Sequence, residues 1–71
     1  MINTKRLKSI LAREGLTSLA FGEKMGWKRS TTYRKVNGVR PFTVPEVDTA
    51  RQVLNLNPVD VMEIFFESYF S

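Results

Sequence analysis

The chain has 71 residues, a net charge of +4, no cysteine and no histidine. That length provides for one small domain, here 1–71, with a small core. The missing residue types exclude a disulfide framework and thiolate chemistry, and leave a zinc site none of its usual ligands except carboxylates.

The first predicted helix runs over 4–14. Leu7, Ile10 and Leu11 share one face at helical spacing, Lys5, Arg6, Lys8 and Arg13 occupy most of the rest, and Gly15 fits the residue just past the end. The second, 18–25, starts after Thr17, whose hydroxyl can cap the next turn. Phe21 and Met25, four apart, face inward. Gly22 lies beside them, where a missing side chain permits close helix approach, and Gly26 suits a turn of positive φ.

The stretch "STTYRKVNGVRPFTV", Ser30–Val44, admits two readings. Thr, Tyr and Val favour strands, and Asn37-Gly38 is a strong hairpin signal. Against this, Thr43-Val44-Pro45-Glu46 is a capping box with proline in the first turn, so a second strand could hold only Val39–Phe42, with Pro41 inside it. The spacing therefore predicts a third helix over 29–36. Asn37 is its cap and Gly38 its αL residue, Val39 packs back on Tyr33, and Thr32 and Val36 point inward.

The fourth helix, 44–54, carries Val47, Ala50, Val53 and Leu54 as its apolar stripe, with Phe42 and Val47 as a hydrophobic staple and Asn55 as a left-handed stop. The fifth, 58–66, starts with Asn57 as cap, Pro58 in the first position and Asp60 in the first turn; Val61, Ile64 and Phe65 face inward. Phe21, Met25, Val47, Val53, Val61 and Ile64 are expected in the core. The tail 67–71 is apolar, and four of the last seven residues are aromatic.

Charge is divided along the chain. Residues 1–40 carry ten Lys/Arg and two Glu, a net of +8; residues 41–71 carry one Arg and five acids, a net of −4. One basic end suggests an anionic partner, nucleic acid first and a membrane surface second; the alternative is a set of solvated charges with no partner. Helices two and three meet through a glycine turn, which is helix-turn-helix spacing. The outward side of the third presents Lys28, Arg29, Ser30, Tyr33 and Arg34, and its N-terminal end offers free N–H groups. Arg at such a position can bind guanine O6 and N7 in a major groove. Lys5, Arg6 and Lys8 are assigned to the general field or a distant phosphate. Trp27 could stack on a base; packing against the turn is the expected role.

The ordered set Leu16-Thr17, Gly26, Arg29-Ser30-Thr31, Arg34-Lys35, Asn37-Gly38, Pro41-Phe42-Thr43 and "LNLNPVDVMEIFF" resembles the Cro/repressor-like (lambda-repressor-like, XRE-type) helix-turn-helix family, especially small regulators of temperate phages of Gram-positive hosts. The resemblance spans residues 7–66. It implies an all-α, compact five-helix domain whose third helix enters the major groove of double-stranded operator DNA. By position, base reading falls on Lys28, Arg29, Ser30, Tyr33 and Arg34, and phosphate contact on Thr17, Ser18, Asn37 and Arg40. Dimers on half-sites about 34 Å apart are implied.

Four positions depart from the family pattern: Ser18 replaces the usual Gln, Leu19 an acidic residue, Gly22 an alanine and Thr32 a large apolar residue. At Thr32 a hydroxyl aimed at the core should bond a carbonyl one turn back.

The expected function is transcription regulation within a phage lysis–lysogeny switch. The alternative is an antirepressor or co-repressor that pairs with a larger phage repressor. Leu19, Phe66, Tyr69 and Phe70 are the candidate protein-contact residues, for a homodimer or such a heterodimer. With no signal-peptide core and no apolar run of roughly 20 residues, the expected location is the cytoplasm of the bacterial host, without membrane contact. The first helix offers too little apolar area for an interfacial anchor. No catalytic group stands at a suggestive spacing, so no enzyme activity, cofactor or small-molecule substrate is expected.

Overall fold

The computed structural model describes residues 2–67, and these form five α-helices with no strand among the described residues. They are α1 (Thr4–Arg13), α2 (Ser18–Met25), α3 (Arg29–Val36), α4 (Val44–Val53) and α5 (Pro58–Phe65). The expected all-α, five-helix architecture is thus the observed one. Three expected ends ran one residue further, because Glu14, Leu54 and Phe66 are C-cap residues.

Helix boundaries follow local chemistry. Thr17 Oγ1 accepts the Ala20 N–H at 3.1 Å, and Thr43 and Glu46 form the reciprocal capping box. Asn57 and Asp60 form a second box, and Asn3 caps α1 through the Arg6 N–H at 3.0 Å. The Asn3 cap lies outside the expected signals. At the other ends α1 to α4 close with one pattern. Leu16, Trp27, Val39 and Leu56 each donate their N–H to the carbonyl five residues back, at 2.8–2.9 Å. The residue before each of them is left-handed: Gly15, Gly26, Gly38 and Asn55, with φ between 53° and 78°. The Asn37-Gly38 pair therefore stops a helix. Tyr33 and Val39, the expected contact pair, are both about 70% exposed.

The core joins Leu7, Ile10 and Leu11 of α1, Phe21 of α2, Val36 of α3, Ala50 of α4, Leu54, Leu56 and Ile64 of α5. Met25, Val53 and Val61 are half-buried against it. Val47 is not a core residue; it is half-buried in the wall of an apolar hollow that it shares with Phe42 and Phe65. A chain of edge-on aromatic contacts, Phe21–Trp27–Phe42–Phe65, runs through the domain with centroid separations of 5.7, 5.3 and 4.9 Å. Trp27 is thus a packing residue of the turn.

α1 and α5 are also tied by charge. The buried Asp60 carboxylate accepts Arg6 at 3.1 Å and lies 3.5 Å from Arg13. Burial opposes its ionisation, yet the Asn57 backbone N–H and the two guanidinium groups hold its pKa below the ordinary value. Arg6, expected to serve the general field, is instead a structural cation.

The α2–α3 contact is unusually close. A Cβ built on Gly22 would lie 1.9 Å from Thr32 Oγ1, 2.5 Å from its Cγ2 and 2.7 Å from its Cβ. Thr32 is buried, and its hydroxyl donates to the Lys28 carbonyl at 3.0 Å, as its inward orientation requires. The two residues are complementary: the small residue on α2 makes room for the β-branched one on α3.

Gly22→Ala should therefore destabilise the domain in urea unfolding by about 1–2 kcal/mol, although alanine favours helix by up to about 1 kcal/mol. In a Thr32→Ala background the cost should shrink by about 0.5 kcal/mol or more, since Oγ1 and Cγ2 are gone. Equal costs in both backgrounds would mean that the contact is not limiting.

Candidate nucleic-acid interface

α3 differs from the other helices at its N-terminus. Its N-cap, Lys28, makes no side-chain capping bond, whereas Asn3, Thr17, Thr43 and Asn57 each cap their helix. The first-turn N–H groups of α3 therefore lack a side-chain partner beside three exposed residues, Lys28, Arg29 and Ser30. One turn on, Tyr33 and Arg34 are also exposed. These five residues line a single shallow surface hollow, so the expected base-reading set is brought together on one face of one helix. The spacing 29, 30, 33, 34 at 3.6 residues per turn places them there.

A second hollow adjoins the first and shares Arg29 and Tyr33 with it. Its other walls are Lys8, Ser18, Leu19, Thr32 and Asn37. Two of the expected phosphate contacts, Ser18 and Asn37, thus join the α3 face. Asn37 is already engaged: its amide donates to the Tyr33 carbonyl at 2.8 Å and its oxygen accepts from Lys8 Nζ at 2.9 Å. Lys8 comes to this face from α1 through that bond, which its place in the sequence does not reveal. Thr17 is exposed and spends its hydroxyl on the α2 cap. Arg40 lines neither hollow. It stands on the wall of the apolar one, with Ile2, Phe42, Val44 and Phe66.

The expected protein-contact residues do not form one group. Leu19 belongs to the α2–α3 hollow, Phe66 to the apolar hollow, and Tyr69 and Phe70 lie outside the described residues.

Charge pairing sharpens the interface. Among the described residues, Lys28, Arg29 and Arg34 form no ion pair, and neither do Lys5, Lys24 or Arg40. Arg6, Arg13 and Lys35 are paired with acids and so contribute less to an outward field. Lys35 is the residue that sequence reasoning missed. It is buried, donates to Glu46 Oε1, and its Nζ lies 5.2 Å from the Trp27 ring centre. Glu46 Oε1 also accepts the Thr43 N–H at 2.9 Å, while its Oε2 accepts Trp27 Nε1 at 3.1 Å. The signal was present: Thr32, Lys35 and Val36 share one helical face, and Thr32 and Val36 both point inward. The last turn of α3 is thereby fixed to the start of α4 and to the turn that precedes α3.

Burial opposes the charge on Glu46, but the Lys35 ammonium and the Thr43 backbone N–H outweigh it and lower its pKa.

Comparison with known protein families, with characterised proteins and with solved structures returned no match.

A carboxylate with a lowered folded pKa contributes stability above its unfolded pKa and loses it as pH falls through the folded one. Stability should therefore fall below about pH 4.5, the ordinary glutamate value. Glu46→Gln should cost about 1–2 kcal/mol at neutral pH and flatten this acid limb, measured as unfolding free energy against pH. An acid limb of unchanged slope would show that Glu46 is not a source of it.

Proposed function

We propose that this chain is a small sequence-specific DNA-binding regulator of the Cro/repressor type, with α2 and α3 as its helix-turn-helix and α3 in the major groove. One observation carries the reading: Lys28, Arg29, Ser30, Tyr33 and Arg34 line one open face of α3, and none of its cations is neutralised by an acid among the described residues. An isolated basic helix would not suffice. Here the helix is braced from behind by Lys35 and Glu46 and held close to α2 at Gly22, so its outer face is a rigid template. Arg29 and Arg34 offer planar donor forks to guanine edges, Ser30 and Tyr33 offer hydroxyls, and Lys28 stands beside the uncapped helix start, where a phosphate is favoured. Lys8 and Ser18 extend the contact toward the flanking backbone. In this reading the protein acts on operator DNA in a phage lysis–lysogeny switch.

A second reading rests on a separate observation. Val59 and Met62 of α5 and its C-cap Phe66, at a spacing of three and four, are 36–63% exposed, and Phe66 borders an apolar hollow walled by Ile2, Phe42, Val44, Val47 and Phe65. Such a surface suits a protein partner, as an antirepressor bound to a larger phage repressor would need. Gel shifts on duplexes enriched on this chain from a random pool, with and without an added phage repressor, separate the two: the first reading requires a shift by this chain alone.

On a selected duplex, Arg29→Ala should remove about 1–3 kcal/mol of discrimination against random DNA. The logarithm of the binding constant should fall linearly with log salt, by about 0.9 per phosphate contacted. Undiminished discrimination in the Arg29 variant would displace α3 as the reading element.

A further inference from the structure

We propose that the hollow between the start of α2 and the outer face of α3 is a thymine-methyl site formed by Leu19 and Tyr33. This rests on the DNA-binding reading above and names a base that the face selects. Leu19 is 45% exposed and Tyr33 69% exposed, and both line the hollow whose other walls include Lys8, Arg29 and Asn37.

Leu19 and the Tyr33 ring give this hollow two apolar walls beside the cations Lys8 and Arg29, a combination that suits an apolar group on an otherwise anionic partner. In the major groove thymine alone presents a methyl group. Guanine, adenine and cytosine offer hydrogen-bonding groups there but no methyl, so only thymine brings an sp3 carbon to Leu19. Ser18, next to it, is too short to screen the leucine from solvent. The rim has the charge complementary to the flanking backbone. Lys8 Nζ is held by Asn37 Oδ1 at 2.9 Å, and the Arg29 guanidinium forms no ion pair among the described residues. The floor is firm, because Thr32 is buried against Gly22 and bonded to the Lys28 carbonyl. Leu19, which stands where the family pattern has an acid, is thereby a specificity-determining residue.

The test uses the full chain and duplexes enriched on it from a random pool, with each thymine replaced in turn by deoxyuridine. That exchange removes the methyl and keeps every hydrogen-bonding group. In each half-site one thymine, replaced singly, should weaken binding about fourfold, the equivalent of ~0.8 kcal/mol for one buried carbon. Leu19→Ala, with its helical circular dichroism intact, should weaken binding to the thymine duplex by a similar factor and leave the deoxyuridine duplex unchanged. The proposal is overturned if every replacement changes affinity by less than about twofold, or if Leu19→Ala weakens both duplexes equally. Failure to enrich any duplex over random DNA overturns the DNA-binding reading itself, and with it this site. Enrichment followed by a flat deoxyuridine scan removes this site alone.

Discussion

The carboxylate of Glu46 is the point on which the candidate interface depends. It closes the capping box of α4, accepts the buried Lys35 ammonium from the last turn of α3, and accepts the Trp27 indole from the turn before α3. Three parts of the chain are thereby fixed by one group. A buried ion pair gains little over a well-packed apolar pair, but it specifies geometry, because a charge that loses its partner in the interior is costly. Trp27 continues the constraint through edge-on contacts to Phe21 on one side and Phe42 on the other. In this domain the outward face of α3 is positioned from behind, by an inward face whose charge must be met.

The same logic divides the cations by role. A basic N-terminal half looks like a single anion-binding signal, and it is two populations. Arg6 and Arg13 join α1 to the buried Asp60 of α5, and Lys35 joins α3 to α4. The rest form no ion pair among the described residues, and three of them, Lys28, Arg29 and Arg34, collect on one exposed face. The acidic C-terminal half supplies the partners of the first population, and that removes part of the basic excess from the outside of the molecule. A field aimed at an anion is thus concentrated at α3 more than the raw charge count implies.

The packing of α2 on α3 shows how two residues that look unfavourable one at a time can be favourable together. Glycine in a helix and a hydroxyl in a core each carry a cost. Gly22 removes the atom that would collide with Thr32, and Thr32 satisfies its hydroxyl on the Lys28 carbonyl without needing a partner from another helix. The result is a close approach that sets the position of the α3 face relative to Ser18 and Leu19.

Much of this was local and therefore legible from residue order. Thr17, Thr43 and Asn57 mark helix starts because an N-cap needs only the next turn. Gly15, Gly26, Gly38 and Asn55 mark helix ends because a left-handed residue is a property of one position. The stripe Leu7–Ile10–Leu11 and the outward set on α3 follow from the 3.6-residue period alone. The sequence by itself determined five helices, their boundaries to within a residue, and which face of α3 is polar. Only the tertiary structure decided which charges are spent internally and which side chains share a hollow. Lys35 meets Glu46 across 11 residues, Arg6 meets Asp60 across 54, and Lys8 reaches Asn37 across 29. Those pairings depend on how helices cross, and crossing is fixed by the packing of the whole core, which no local signal encodes.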